Sequence, residues 1–247
     1  MGQTGEQVMM ERAAEARAPV RTRPQRPPSP TRLPAPSSAW LAAPALSGWR
    51  AMVKRFEDVV IAIATLAVLA PLMLLIAAWI RLDSPGPILF RQRRVGFAGR
   101  EFQMLKFRTM RAAAEPVGLR QATRNDARVT RFGAVLRRAS FDELPQLFNV
   151  LAGDMSLVGP RPHAPGTCAA GRPFEAVVPA YPARHRVRPG MTGLAQVRGW
   201  RGETDTEEKI VRRVQCDLEY IGGWTVWLDI AVLARTLLAV LSMRNAY

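Results

Sequence analysis

The sequence has too few cysteines and histidines for two common kinds of site. Cys168 and Cys216 are the only cysteines, and their wide separation predicts neither a disulfide framework nor a zinc site. A reducing, cytosolic setting fits that composition. The two histidines, His163 and His185, have no acidic neighbour in sequence and are weak candidates for general bases. The glycines lack P-loop or dinucleotide-binding spacing, so they are expected in turns.

Acidic residues are also scarce, since 20 Asp and Glu stand against 35 Lys and Arg, for a net charge of +15. This excess predicts an anionic partner, which is nucleic acid, anionic lipid or a phosphorylated substrate. No helix-turn-helix, zinc-finger or aromatic-basic RNA signature is present, so we expect no nucleic-acid partner. A basic start with a short apolar core and a cleavage site is absent near the N-terminus, which predicts no cleaved secretory signal.

Residues 1–50 are rich in Pro, Arg and Ala and have no sustained apolar period. Such composition predicts a disordered basic tail. A solvated linker is the simpler interpretation of this tail. Beside a membrane, a tail of this charge also suits anionic lipid.

An almost uncharged apolar run, Val59–Ile80, predicts a membrane segment over residues 51–82 and a lipid bilayer as partner. Its length of about 22 residues, at 1.5 Å per residue, matches the roughly 30 Å hydrocarbon core. Pro71 lies mid-run and predicts a kink or break there. Basic residues flank both ends, so a re-entrant hairpin and an ordinary span both remain open.

The remainder, residues 83–247, reads as one catalytic domain. Strand-like pieces are predicted at Ile88–Phe90 and Phe102–Phe107, and a polar loop at Ala112–Asn125. A short amphipathic helix should follow Asp142 and Glu143 and stop at Gly153. An apolar stripe from Trp227 to Leu241 predicts a last helix that lies at the membrane interface, with Trp224 and Trp227 at headgroup depth, or packs on the core.

The densest chemical cluster surrounds Asp142 and Glu143, predicted at the start of that short helix. Exposed N–H groups there favour an anion, so we expect an ionised carboxylate or a bound phosphate. An ionised carboxylate serves both a phosphorus-attacking nucleophile and Mg²⁺. Ser140 and Glu143 also have capping-box spacing, so a purely structural role remains open.

Several basic residues near this cluster suit phosphate oxygens. Lys106, Arg137, Arg138 and Arg161 could neutralise those oxygens, the arginines by two-point contacts. A solvated or lipid-facing basic surface is the alternative.

Four strings decide between these interpretations: Lys106–Met110, Asp142–Gln146, Gly153–Pro162 and Arg188–Val197. In this order they resemble the bacterial sugar transferases, or monotopic phosphoglycosyl transferases, and the resemblance covers about residue 50 to the C-terminus. It implies a mainly helical, membrane-associated α+β fold with short strands and a re-entrant helix broken at Pro71.

The same resemblance implies roles for named residues. Asp142 would attack the phosphorus that bears the sugar and form an aspartyl-phosphosugar intermediate, while Glu143 would hold Mg²⁺. By this resemblance, the family positions matched by Lys106, Arg137 and Arg161 contact phosphate or support the acidic pair. Cations suit a transfer in which negative charge gathers on the phosphoryl oxygens.

The C-terminal part resembles the subgroup that transfers glucose 1-phosphate or galactose 1-phosphate from a UDP-sugar to undecaprenyl phosphate. This implies initiation of exopolysaccharide synthesis at the bacterial inner membrane, with the catalytic domain facing the cytoplasm. Three positions depart from the usual pattern: Ala70 stands for Ser, Phe141 for Leu and Arg198 for Asn. The last of these places donor preference in question.

Overall fold

The computed structural model describes residues 45–111, 126–202, 204 and 206–241. Over these ranges the fold is mainly helical with short strands, as the sequence predicts. Most of the predicted tail and the predicted loop Ala112–Asn125 lie outside the described residues.

The first helix, α1, runs Gly48–Asp83 and contains the whole predicted apolar run. In the described part of the chain it alone is long and apolar enough to cross a membrane, and only 17% of its most apolar stretch is buried by protein. Such exposure is untypical of a core helix and marks a surface that needs apolar surroundings. The helix continues through Pro71, and the re-entrant bend there stays a prediction.

Two antiparallel strands follow, β1 at Leu89–Val95 and β2 at Glu101–Phe107. Leu89 pairs with Phe107 at one end, and the hairpin closes through a 3₁₀ turn at Phe97–Gly99. Both predicted strands are therefore present, and the first extends further than predicted.

Helix α2 at Arg131–Ala139 and helix α3 at Gln146–Ala152 flank a 3₁₀ turn at Phe141–Glu143. Gly153 ends α3 with φ 91°, which confirms the predicted glycine stop. Gly133 lets α2 approach the segment that follows β2, because a Cβ there would lie 2.2 Å from the carbonyl oxygen of Thr109.

The rest of the domain is built around β3 at Ser156–Val158, which pairs in parallel with β6 at Gly190–Thr192. A Cβ on Gly190 would lie 2.1 Å from the nitrogen of Gly159, so this close strand approach requires glycine. The other described elements are β4 Cys168–Ala169, β5 Arg172–Pro173, α4 Phe174–Val177, a 3₁₀ segment Tyr181–Arg186, α5 Leu194–Val197, α6 Glu207–Gly223 and α7 Val226–Leu241.

The main core lies where α1, α3, β3, α6 and α7 meet. Its most buried side chains come from all five elements or the turns beside them: Ala62, Val150, Met155, Val158, Tyr220 and Val232. Helix α1 thus contributes side chains to the core of the catalytic domain and also presents an exposed apolar surface. Burial of this kind contributes roughly 25 cal/mol per Å² of apolar surface.

A buried ionic network joins α1 to α7. Lys54 Nζ lies 2.9 Å from Asp58 Oδ1 and 2.7 Å from Asp229 Oδ2. Asp58 also accepts hydrogen bonds from the hydroxyl of Ser156 and the amide of Leu157, both at 3.0 Å. Lys54 therefore faces the protein interior, although its place in the sequence is that of a charge flanking a membrane segment.

The two tryptophans before and within α7 have different surroundings. Trp224 is 3% exposed and its indole N–H donates to Asp229, whereas Trp227 is 78% exposed. For Trp224 the structure agrees with the alternative of packing on the core, because the ring is buried and bonded to Asp229. Trp227 and the outward apolar side chains of α7 remain available to a membrane interface.

Candidate active site

Asp142 and Glu143 lie in the 3₁₀ turn that precedes α3. Ser140 ends α2 in the left-handed region, at φ 61°, and makes no side-chain cap to the turn. Its hydroxyl instead accepts a hydrogen bond from Arg201 Nη2 at 2.7 Å. The capping-box alternative is therefore wrong, because both of its side chains have tertiary partners.

Glu143 is held between two cations. Its Oε1 accepts from Lys106 Nζ at 2.8 Å and from Arg161 Nη2 at 2.5 Å, while Oε2 accepts from Arg161 Nη1 at 3.2 Å. Burial acts to raise the pKa of Glu143, but Arg161 and then Lys106 hold that pKa well below its ordinary value. This side chain is therefore an ionised, fixed carboxylate.

Asp142 has a different environment although it is the adjacent residue. It is 8% exposed, and its carboxylate makes no hydrogen bond or ion pair within the described ranges. Burial raises the pKa of Asp142, against the attraction of Lys106, and the charge on Glu143 raises it further. The sequence predicted an anion stabilised by a helix start, whereas the turn encloses the group and shifts its pKa upward.

Lys106 reaches the site because β2 is fixed to α3. The side-chain amide of Asn149 accepts a hydrogen bond from the backbone nitrogen of Leu105 at 2.9 Å and donates one to the backbone carbonyl of Gln103 at 2.8 Å. These hydrogen bonds attach the edge of β2 to α3, the helix that follows the acidic pair. The position of Lys106 relative to Glu143 is thus set by the bonds that Asn149 makes to the backbone just before Lys106.

Arg161 is held through its own main chain. Arg184 Nη2 donates to the carbonyl of Arg161 at 2.7 Å, and Arg184 Nε donates to Asp217 at 2.6 Å. The side chains of Arg184 and Asp217 are each 3% exposed, so this ion pair is rigidly enclosed. The predicted phosphate-binding arginine is therefore supported by a buried pair that the sequence analysis did not identify.

Arg137 lies nearby but has another partner. Its Nε donates to the hydroxyl of Thr109 at 3.0 Å, and its charge opposes the upward shift that burial gives the pKa of Asp142. The structure thus brings Lys106 and Arg161 onto Glu143, and places Arg137 within electrostatic reach of Asp142.

The apolar residues that bracket the acidic pair pack towards α1. Phe141 and Leu144 belong to the same apolar cluster as Leu72 and Met73, the residues that follow Pro71. One apolar cluster therefore connects the acidic turn with the second half of α1.

A sequence model described as Bacterial sugar transferase matches residues 49–243. The chain belongs to the bacterial sugar transferase family. The matched range includes α1 from its second residue onward and every residue of the acidic site.

Three relatives of this sugar transferase illustrate the likeness. The UDP-glucose:undecaprenyl-phosphate glucose-1-phosphate transferase of Caulobacter vibrioides is 53% identical over 78% of this chain and 72% of that protein. The transferase of the same name from Xanthomonas campestris pv. campestris is 49% identical over 79% of this chain. The exopolysaccharide production protein PSS of Rhizobium leguminosarum bv. phaseoli is 47% identical over 79% of this chain and 98% of that protein. This chain matches only 40% of the length of the Xanthomonas relative.

The sequence analysis did not identify three residues that contact the candidate site of this sugar transferase: Arg184, Asn149 and Arg201. Each of them contacts partners 21 to 61 residues away in the chain, such as His163 for Arg184 and Ser140 for Arg201. A lone arginine or asparagine carries no local pattern that separates it from a surface residue. Asn149 lies between the strings Asp142–Gln146 and Gly153–Pro162, and this proximity is the sequence signal that could have indicated it.

The acidic pair of the sugar transferase fits a magnesium ion that takes few protein ligands. In the ranges that the structure describes, no group of three His, Cys, Asp or Glu could hold a metal. Glu143 Oε2 accepts a single 3.2 Å bond, which leaves lone-pair capacity, and Asp142 is adjacent. Mg²⁺ often uses one or two carboxylates together with substrate phosphates and water, and this donor set matches that habit.

Proposed function

We propose that this sugar transferase moves glucose 1-phosphate from UDP-glucose to undecaprenyl phosphate and so initiates exopolysaccharide synthesis. The names of the Caulobacter and Xanthomonas relatives support both substrates, and the name of the Rhizobium relative supports the product. The observation that carries the proposal is the contrast within the acidic pair. Asp142 is enclosed and unbonded, while its neighbour Glu143 is fixed by Lys106 and Arg161.

Asp142 supplies the nucleophile in this proposal. A carboxylate oxygen attacks the phosphorus that bears the glucose, the bond from that phosphorus to the bridging oxygen breaks, and UMP leaves with the electron pair. The phosphate of undecaprenyl phosphate then attacks the same phosphorus and releases the aspartate. A side chain without hydrogen bonds can approach phosphorus without first breaking any, which supports Asp142 over Glu143 in this role.

The cations around the pair stabilise the charge that gathers on phosphoryl oxygens. Glu143 holds Lys106 and Arg161 in place before substrate arrives, and Arg137 adds charge beside Asp142. Magnesium, held by Glu143 with Asp142 adjacent, would neutralise the phosphates when bound. Chelation should therefore stop turnover and excess Mg²⁺ should restore it; full activity in chelator would remove the metal from the proposal.

The donor is tested with a panel of UDP-sugars, including UDP-galactose, and undecaprenyl phosphate in detergent or nanodiscs. Lipid-linked sugar is identified by mass spectrometry, and UMP release is measured in parallel. UDP-glucose should give the highest turnover. A different preferred sugar would correct the donor, and no lipid-linked product from any sugar would contradict the proposed function.

The nucleophile is tested by Asp142→Asn, with Glu208→Gln as control because Glu208 is an exposed carboxylate on α6. Asp142→Asn should abolish UMP release, since an amide cannot attack phosphorus, while the control keeps wild-type turnover. Donor alone should add a phosphosugar mass to the wild-type protein at Asp142. Turnover by Asp142→Asn, as expected of a merely structural residue, would contradict the covalent step.

We further propose that α1 enters and leaves the cytoplasmic face of the inner membrane and bends at Pro71. Support comes from both ends of the helix, which contact the same domain. Arg50 donates to the carbonyl of Trp224 at 2.8 Å, and Arg108 donates to the carbonyl of Ser84 at 2.5 Å. A helix that crossed the roughly 30 Å core would separate its ends.

This topology is tested with single cysteines at Met52 and Asp83, both exposed, in a Cys168→Ser background that removes the exposed native thiol. An impermeant thiol reagent added from the cytoplasmic side should label both positions. Labelling of one position from each side would establish an ordinary span.

A further inference from the structure

Ser140, two residues before Asp142, has a backbone conformation that its residue type disfavours. Its φ of 61° and ψ of 18° lie in the left-handed region, which glycine usually occupies at a helix end. Among the described residues two other non-glycine side chains have positive φ, Ala98 and Ala170, and each lies in the turn of a strand hairpin. Such a conformation persists where the surrounding structure holds it. The contacts of Ser140 therefore bear on the acidic turn.

The backbone of Ser140 joins α2 to the acidic turn. Its amide donates to the carbonyl of Arg137 at 3.1 Å, and its carbonyl accepts from the amide of Glu143 at 3.2 Å. The carboxylate of Asp142, which lies between these bonds, makes none of its own within the described ranges. The conformation of Ser140 thus sets the position of that carboxylate relative to α2.

The side chain of Ser140 is bound from a distant part of the chain. Arg201 Nη2 donates to its hydroxyl at 2.7 Å, across 61 positions of sequence. No second partner of this hydroxyl is seen in the part of the chain that the structure describes. A charged donor makes a stronger bond than a neutral one, so this contact is well suited to hold a disfavoured conformation.

Arg201 is itself supported by α6. Arg213, which is 7% exposed, donates to the carbonyl of Gly202 at 2.6 Å and also to the hydroxyl of Thr204. Gly202 has φ 96°, a left-handed conformation that favours glycine. The segment that carries Arg201 is therefore attached to a buried side chain of a long helix, and the contact with Ser140 has a rigid base.

We propose that Arg201 is a positioning residue for the nucleophile: its bond to Ser140 holds the acidic turn in the conformation from which Asp142 attacks phosphorus. This inference rests on the proposed covalent step at Asp142. It adds a contribution from the segment before α6, which supplies no group to the reacting atoms in the proposed steps.

The expected kinetic signature is a lower kcat with little change in KM for the donor. Lys106 lies on β2 and Arg161 follows β3, so the cations proposed to meet donor phosphates lie outside the turn. Close approach of the Asp142 oxygen to phosphorus is required only in the transition state. Displacement of a reacting group by about 1 Å can cost on the order of a hundredfold in rate.

The kinetic test uses the full chain in nanodiscs with UDP-glucose and undecaprenyl phosphate. Arg201→Met removes the donor of the bond and Ser140→Ala removes its acceptor. Each should lower kcat at least about tenfold and change KM for UDP-glucose by less than about twofold. Because both variants remove the same bond, the double variant should lose no more than about twofold beyond the larger single loss.

Arg172→Met is the matched control, because it removes an exposed guanidinium that pairs with Glu207 at 2.8 Å, and it should keep the wild-type kcat. A melting temperature for each variant shows whether it is folded, and Ser140→Ala decides the question if Arg201→Met does not fold.

Hydrogen–deuterium exchange gives a second readout that needs no substrate. The amide of Glu143 donates to the carbonyl of Ser140, so exchange in the peptide that spans 141–144 reports the turn. Arg201→Met should speed this exchange at least about tenfold and leave the β1–β2 hairpin as in the wild type. A general structural role would instead speed exchange in both regions. Unchanged exchange at 141–144 in the folded variant would overturn the inference.

The remaining outcomes separate this inference from the proposed function. Additive losses of kcat in the double variant would show that Arg201 and Ser140 act separately and would overturn the inference. A raised KM for UDP-glucose at unchanged kcat would make Arg201 a donor-binding residue, with the same consequence. Faster exchange in the turn of Arg201→Met, with no turnover of any UDP-sugar by the wild-type protein, would support the contact and contradict the proposed reaction.

Discussion

Replacing Lys54 by Met should destabilise the fold strongly, although Lys54 stands where a membrane-flanking charge is expected. The side chain of Lys54 is 10% exposed, and its two carboxylate partners, Asp58 and Asp229, are 2% and 0% exposed. Lys54→Met keeps the apolar volume of the side chain and removes the only ammonium group that these carboxylates are seen to contact in the described structure. Two buried negative charges then lack a counter-ion.

The magnitude follows from the burial of the pair. Removing one partner of a buried ion pair costs about 3–5 kcal/mol. Each carboxylate keeps two hydrogen-bond donors, Ser156 and Leu157 for Asp58, and Tyr220 and Trp224 for Asp229, which limits the loss. For a domain of this size each kcal/mol lowers the melting temperature by about 2–4 °C, so a decrease of about 6–20 °C is expected.

The assay is thermal unfolding of purified protein in one detergent, with Arg81→Met as the matched control. Arg81 stands at the other end of α1, is exposed, and makes a single 3.3 Å bond to the carbonyl of Gly86. Its replacement should change stability by less than about 0.5 kcal/mol. Neutralising Asp58 and Asp229 as Asn should recover part of the loss in Lys54→Met. Equal melting temperatures for Lys54→Met and Arg81→Met would refute the buried network.

Two further perturbations have defined outcomes. Gly133→Ala should lower stability by about 1–3 kcal/mol and reduce turnover, because the added Cβ would clash with the Thr109 carbonyl. Gly222→Ala on α6 places its Cβ in open space and should be neutral or slightly stabilising. Thermal unfolding and UMP release are measured for both variants. Burial and the charge of Arg184 lower the pKa of His185 from 6.5 to about 4. The unfolded chain therefore binds a proton at this position that the folded protein excludes, and the contribution of His185 to stability should fall by about 2 kcal/mol between pH 7 and pH 5. His185→Gln should reduce this loss in denaturant titrations, and an unchanged pH dependence would contradict the assignment.

Local sequence patterns predicted the elements whose cause is local. The apolar run of α1, the two strands of the hairpin and the stop at Gly153 each depend on residues within a few positions. The acidic pair and its cations were predicted through the resemblance to a family. The structure then places Lys106 and Arg161, 37 and 18 residues from Glu143, on the same carboxylate.

The errors arose where a distant partner overrides a local preference. Ser140 and Glu143 have the spacing of a cap, yet Arg201 takes the hydroxyl and two cations take the carboxylate. From its neighbours in sequence, Lys54 is expected to be a charge at a membrane boundary. Its partner Asp229 lies 175 positions further along the chain, so no local pattern indicates the ion pair. Neither outcome is encoded in a window of a few residues, since the energy comes from tertiary contacts.

Arg55 connects the apolar helix to the chemistry. Its guanidinium donates to the last carbonyls of α3, those of Val150 at 2.5 Å and Leu151 at 2.7 Å, and α3 directly follows the turn that holds Asp142. In a bilayer, the immersion depth of α1 would therefore set the height of the aspartate above the lipid. A polyprenol tail of any length keeps its phosphate at the level of neighbouring lipid phosphates. Bilayer thickness should thus influence turnover more than the number of isoprene units in the acceptor.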